Sequence, residues 1–175
     1  ESLAQESTES LEAYDYEKRG WWYKHQLTRE DNEQARRMFE RAIELDPQLA
    51  SAYAGLGFTY YEAWSQQWSQ DPESLDRAYE MAQKAIALDD SNAGAHVLLG
   101  WVYLWNKQHD LAIAQHELAL ALSPNEADHY GDLAQVLIFA GRPAEAVDLV
   151  EKAMQLRPRY PVQYPFTLGF AYLLL

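Results

Sequence analysis

Cysteine is absent from this chain, which removes disulfides, thiolate metal sites and thiol nucleophiles together. Basic residues are scarce: 14 lysines and arginines stand against 27 aspartates and glutamates, a formal net charge of -13. Such a balance repels a phosphate backbone, so no nucleic-acid partner is expected. No apolar run reaches the roughly 18 residues of a membrane span. The opening stretch, ESLAQESTES, lacks the basic and apolar regions of a signal peptide. No membrane partner is expected, and the expected location is cytoplasmic. What is present is enough for one globular domain with a real core: 175 residues, 48% of them hydrophobic and 23% charged.

A repeat organises the rest. The segments AIELDP, AIALDD, ALALSP and AMQLRP begin at residues 42, 85, 119 and 153, so the intervals are 43, 34 and 34 residues. Amphipathic stretches such as NEQARRMFERAIEL and AEAVDLVEKAMQL precede them, and second stretches such as SAYAGLGFTYYEAW and GAHVLLGWVYLW follow. Two helices per period is the rhythm. Gly57 and Gly100, with Ala78 and Ala112, are small where two helix axes would approach most closely, and a larger side chain there would push the pair apart. Proline at the end of a unit cannot continue a helix and fixes the turn.

This pattern resembles the tetratricopeptide repeat. One unit carries Leu99, Gly100, Tyr103, Ala112, Ala119 and Pro124, with His96 and His116 where the family has aromatics. The unit before it carries Tyr53, Leu56, Gly57, Tyr60, Ala78 and Ala85. The unit after keeps Tyr130, Leu133, Ala146, Ala153 and Pro158, with Ala134 for glycine and Leu137 for tyrosine. The resemblance implies an all-α solenoid of stacked antiparallel helix pairs in a right-handed superhelix, with a concave groove lined by the first helix of each pair. Residues 1–175 then form a single domain. Residues 11–47 are a degenerate first unit behind an N-terminal extension, 50–90 a second unit with an inserted loop, 93–124 a third, 127–158 a fourth, and 161–175 the first helix of a truncated fifth. The insertion centres on WSQQWSQDPE, and the spacing of Trp64 and Trp68, one helical turn, predicts a first helix that runs on past its usual end.

The groove is where function is expected. Val97, Trp101 and Trp105 share one helix face, with Leu99 and Tyr103 on another that meets the partner helix. The position of Trp101 in the other units holds Trp21, Phe58, Gln135 and Phe170, with Tyr61 and Phe139 nearby. Three readings compete. The rings cover each other in a tightly curved stack, or they anchor a peptide or helix, or they mediate self-association. An open end in Leu173, Leu174 and Leu175 is a second route to a homo-oligomer. A clamp for a terminal carboxylate is not visible in the groove, whose faces carry Ser51, Ala54, Phe58, Gly94, Val97 and Trp101 rather than Lys, Arg and Asn.

Catalysis finds no support. His25, His96, His109, His116 and His129 form no HExxH pair and no convincing metal spacing, and neither a phosphate-cradling loop nor a nucleophile elbow occurs. No catalytic residue, cofactor or metal is expected; the expected partner is a protein or peptide. The run from LEAYDYEKRGWWYKHQL through LGFTYYEAW looks more narrowly like the repeat region of bacterial proteins that place it after a TolB-N-terminal-like domain, many of them adenylate or guanylate cyclases. That resemblance implies an interaction scaffold within a larger bacterial protein. Its alternative is a regulatory or oligomerisation domain of a class III nucleotide cyclase or transcriptional regulator.

Overall fold

Alanine and glycine at helical spacing let helices approach until ring meets backbone, and the helices of this chain do so. A computed structural model describes the backbone of residues 2–175 and the side chains of residues 10–175. The side chains of ESLAQESTE, read above for targeting, lie outside the described residues. Among the described residues all regular structure is helical: α1 (Ser2–Lys24), α2 (Arg29–Leu45), α3 (Ala50–Ser65), α4 (Ser74–Leu88), α5 (Ala93–Trp105), α6 (His109–Leu122), α7 (Ala127–Phe139), α8 (Pro143–Leu156) and α9 (Gln163–Leu173). The chain divides into two compact units, residues 1–98 and 99–175.

In residues 1–98 the core forms around Phe39 with Ala35, Ala42, Ala52 and Leu56, all buried. Phe39 fits between two glycines: a Cβ on Gly20 would stand 2.7 Å from its Cε1, and one on Gly55 would run into the same ring. Gly57 likewise leaves room for the buried Leu98. Truncating a side chain held this closely typically costs about 3–5 kcal/mol, because the surroundings collapse only in part. The start of α2 is capped locally. Thr28 Oγ1 accepts the Asp31 N–H at 3.1 Å, satisfying one of the helix's free donors.

In residues 99–175 the ring at the centre is His116, fully buried, with Trp101 edge-on at 5.1 Å between centroids. Gly100 makes that fit possible, since a Cβ there would lie 2.5 Å from His116 Cδ2. Helix α9 is fastened by a polar knot. Arg157 donates to both oxygens of Asp128, at 2.8 and 2.9 Å, and the Tyr164 hydroxyl donates to Asp128 Oδ1 at 2.5 Å. The ring of Tyr164 rests on Gly131.

The turns repeat as well. A left-handed residue follows each of α1, α3, α5 and α7: Leu27 at φ 58°, Gln67 at 57°, Lys107 at 60° and Gly141 at 77°. Behind α5 the Gln108 N–H reaches Tyr103 O at 2.9 Å, and behind α7 the Arg142 N–H reaches Leu137 O at 2.8 Å. This is the backbone closure of a Schellman turn. The AIELDP and AIALDD motifs end helices by a different device, in which Asp46 and Asp89 accept the N–H groups of Gln48 and Ser91.

Helix α3 runs to Ser65, past Glu62, the position at which its counterparts α5 and α7 end, as the sequence leads one to expect; the left-handed Gln67 then turns the chain, so Trp68 lies beyond the helix. The insertion is a loop because its backbone is closed by Ser69 N–H to Ala63 O at 3.0 Å.

Candidate functional site

The nine groove candidates fall into two groups, and the structure treats them differently. In residues 1–98, Trp21 and Phe58 meet edge-to-face at 6.0 Å, and Trp21 also packs on Phe39 at 5.3 Å. The Trp21 indole N–H donates to Glu17 Oε1 at 2.6 Å. Lys24 lies over Phe58 at 4.8 Å and is paired with Glu62 at 3.1 Å, both charges being mostly buried. Burial pushes the Glu62 carboxyl above its usual range, with the Lys24 ammonium pulling it back. Trp21, Phe58 and Tyr61 are therefore half-buried, the first two roofed by an ion pair of the chain itself. Val97 is 5% exposed, a correction to its place among the contact candidates.

In residues 99–175, Trp101 is 9% exposed, a second correction: its ring seals against His116. Trp105, one turn further, ends α5 and is 44% exposed. Its ring lies 6.2 Å from that of Phe139, which is 49% exposed at the end of α7. Phe170 is 39% exposed, and its ring stacks with Phe166 at 6.5 Å. Gln135 is exposed. Tyr103, expected in the core, is only half-buried. Leu174, named from the sequence only as part of the open end, is the C-cap of α9 at the register position of Trp105 and Phe139 and is exposed; sequence reasoning missed that place. The repeat spacing was the signal that could have found it.

Among the described residues no cluster of three or more metal-ligating side chains occurs. Burial, and then the proximity of His129, hold the His116 imidazole down at about 3, so it is neutral at physiological pH. Burial lowers His129 too. Neither ring nitrogen of His116 has a hydrogen-bond partner, so the ring serves as packing.

This geometry, with small residues at helix crossings and a left-handed residue after each odd-numbered helix through α7, has a counterpart in known families. Residues 28–63 match the model of the TPR repeat, and residues 93–159 match a second model of the tetratricopeptide repeat. These are tetratricopeptide repeats. No curated protein matches the chain. Solved structures match its tetratricopeptide-repeat fold. A thermophilic TPR protein of Thermus thermophilus superposes with a TM-score of 0.73 at 23% identity, over 88% of this chain and 79% of that one. The pilF protein of Pseudomonas aeruginosa gives 0.72 at 23% identity, over 94% of this chain and 70% of its own. The first TPR of Spaghetti (RPAP3), in a structure with a bound HSP90 peptide, gives 0.60 at 19% identity, over 73% and 94%. The all-α tetratricopeptide solenoid is thus the fold of this chain. Among the described residues no helix is long and apolar enough to cross a membrane.

Proposed function

We propose that this chain is a non-catalytic interaction module that takes a peptide or helix on the exposed side chains of its odd-numbered helices. The observation that carries the reading is the exposure of Trp105 and Phe139, adjacent rings at the ends of α5 and α7. Aromatic rings lose little rotamer freedom on contact and dominate interface energies. The binding residues are Trp105, Phe139 and Phe170, with Gln135 as a polar contact, rather than the whole row. Peptide capture by another tetratricopeptide structure, that of Spaghetti, is consistent with this use of the fold. The narrower likeness to cyclase-linked bacterial proteins rests on the sequence run alone; under it the same surface would dock a neighbouring module of a larger chain.

The test is selection of a random peptide library on the protein, followed by titration of the enriched peptides against variants. Trp105→Ala with Phe139→Ala is expected to weaken binding by tenfold or more while lowering the melting temperature less than Trp101→Ala does, since these rings are 44% and 49% exposed and that of Trp101 only 9%. Trp101→Ala is the contrasting variant, expected to unfold the chain at markedly lower denaturant. Peptides that bind the double variant as tightly as the parent would remove these rings from the site.

A further inference from the structure

Apart from the exposed rings, residues 1–98 contain a cleft of about 350 Å³ between α2, the end of α3 and the loop after it. That is the small end of ligand pockets, which run roughly 300–1,000 Å³. One wall is the insertion that breaks the repeat rhythm, where the left-handed Gln67 and Trp68 line the space. The other wall is α2, with Arg29, Asn32 and Arg36 facing the cleft at successive helical turns, and Glu33, the partner of Arg29, beside them.

Arg36 is held in place before any ligand arrives. Its Nε donates to Thr59 Oγ1 at 3.2 Å and its Nη2 to Thr59 O at 3.2 Å, and its guanidinium lies over the Tyr60 ring at 4.3 Å. Those bonds leave most of the five guanidinium donors uncommitted. Among the described residues no carboxylate pairs with Arg36, although the chain carries 27 acidic residues. Arg29 brings a second guanidinium, tied only to Glu33 at 3.4 Å and well exposed. Asn32 is the complementary group. It is 4% exposed, its Nδ2 donates to Thr59 O at 3.0 Å, and its Oδ1 has no donor. A shielded amide oxygen without a donor is costly. Asn32 lines the cleft, and a shift of that lining admits a ligand N–H to its Oδ1.

The geometry points to a ligand with a carboxylate and an adjacent N–H. We propose that the cleft binds this unit, found in an N-acyl amino acid and in the last residue of a chain. The carboxylate lies between Arg36 and Arg29, the N–H turns toward Asn32 Oδ1, and the side chain rests on Trp68. The site uses the second helix of a pair and an inserted loop and shares no residue with the aromatic contacts proposed above, so the two readings stand or fall separately.

The indole N–H resonance of Trp68, identified by its loss in Trp68→Phe, reports occupancy by NMR. The probes are N-acetylalanine, its amide, propionate, and an N-acetylated pentapeptide ending in alanine. A saturable shift with N-acetylalanine is expected, with binding at least tenfold weaker for the amide and for propionate. Arg36→Gln is expected to weaken it at least tenfold. Arg29→Gln, at an exposed position that does not endanger the fold, should weaken it severalfold with an unchanged circular dichroism spectrum. A pentapeptide that binds more tightly than N-acetylalanine makes the ligand a chain end, and one that binds more weakly makes it a small molecule; either supports the site. No saturable shift with any probe, an amide that binds as well as the acid, or arginine variants that bind like the parent would overturn it.

Discussion

Gly100→Ala tests the packing on which residues 99–175 depend. A Cβ at residue 100 would lie 2.5 Å from His116 Cδ2, 2.7 Å from its Nε2 and 3.3 Å from the Ala112 carbonyl oxygen. The ring contact is about 1 Å inside the optimal carbon separation of roughly 3.5–4.0 Å. His116 cannot swing away, because it is fully buried with Trp101 against its face, and the carbonyl belongs to a helix backbone. Overpacking of this kind costs about 1–3 kcal/mol. Alanine returns about 1 kcal/mol through helix propensity. Gly169→Ala separates the two effects, since a Cβ there meets nothing within 4 Å and only the propensity gain remains. The difference between the variants is therefore expected at about 1–3 kcal/mol, with Gly169→Ala the more stable. Urea unfolding followed by far-UV circular dichroism measures it. Relief of the Gly100→Ala defect by His116→Ala, a coupling of about 0.5–3 kcal/mol in a double-mutant cycle, assigns the clash to that ring. Equal shifts from Gly100→Ala and Gly169→Ala would refute the close crossing.

Two further perturbations follow from the same coordinates. His116 titrates at about 3 in the folded chain against an ordinary 6.5. Between those values the unfolded chain takes up a proton that the folded one refuses, so stability falls as pH is lowered across that window, by up to about 1.4 kcal/mol per pH unit. The buried Glu62, whose carboxyl is raised, has the opposite sign. His116→Phe should therefore flatten the acid limb in urea midpoints, and an unchanged limb would assign it to other groups. Lys107 sits at φ 60° on an exposed turn where Gly141 serves one repeat later. Lys107→Gly removes a left-handed strain of about 1–2 kcal/mol while loosening the unfolded chain by somewhat less, so a small rise in melting temperature is expected, and a fall would show that the turn is unstrained.

How far the sequence could be read follows from what each interaction needs. Gly57 and Gly100 were legible as crossing points because a missing side chain has one common use inside an amphipathic helix, and the repeat shows it twice. The aromatic row was only partly legible. Trp101 and Trp105 are four residues apart, so periodicity puts them on one face and cannot separate them. What separates them is height: one turn, about 5.4 Å, carries Trp105 to the last residue of α5, while Trp101 stays level with His116. The ring that replaces a family aromatic at residue 116 is also the one that Gly100 admits, so the substitution and the burial of Trp101 are one packing fact visible only in three dimensions. The cleft at Arg36 and Asn32 was not legible either. Those residues lie on the second helix of a pair, at positions that the repeat leaves unspecified, and Thr59, 23 and 27 residues away, fixes both. A repeat motif records what every unit shares. Wherever an insertion such as residues 66–73 breaks the period, the motif is silent, and there the helices carry polar groups whose partners only the fold assembles.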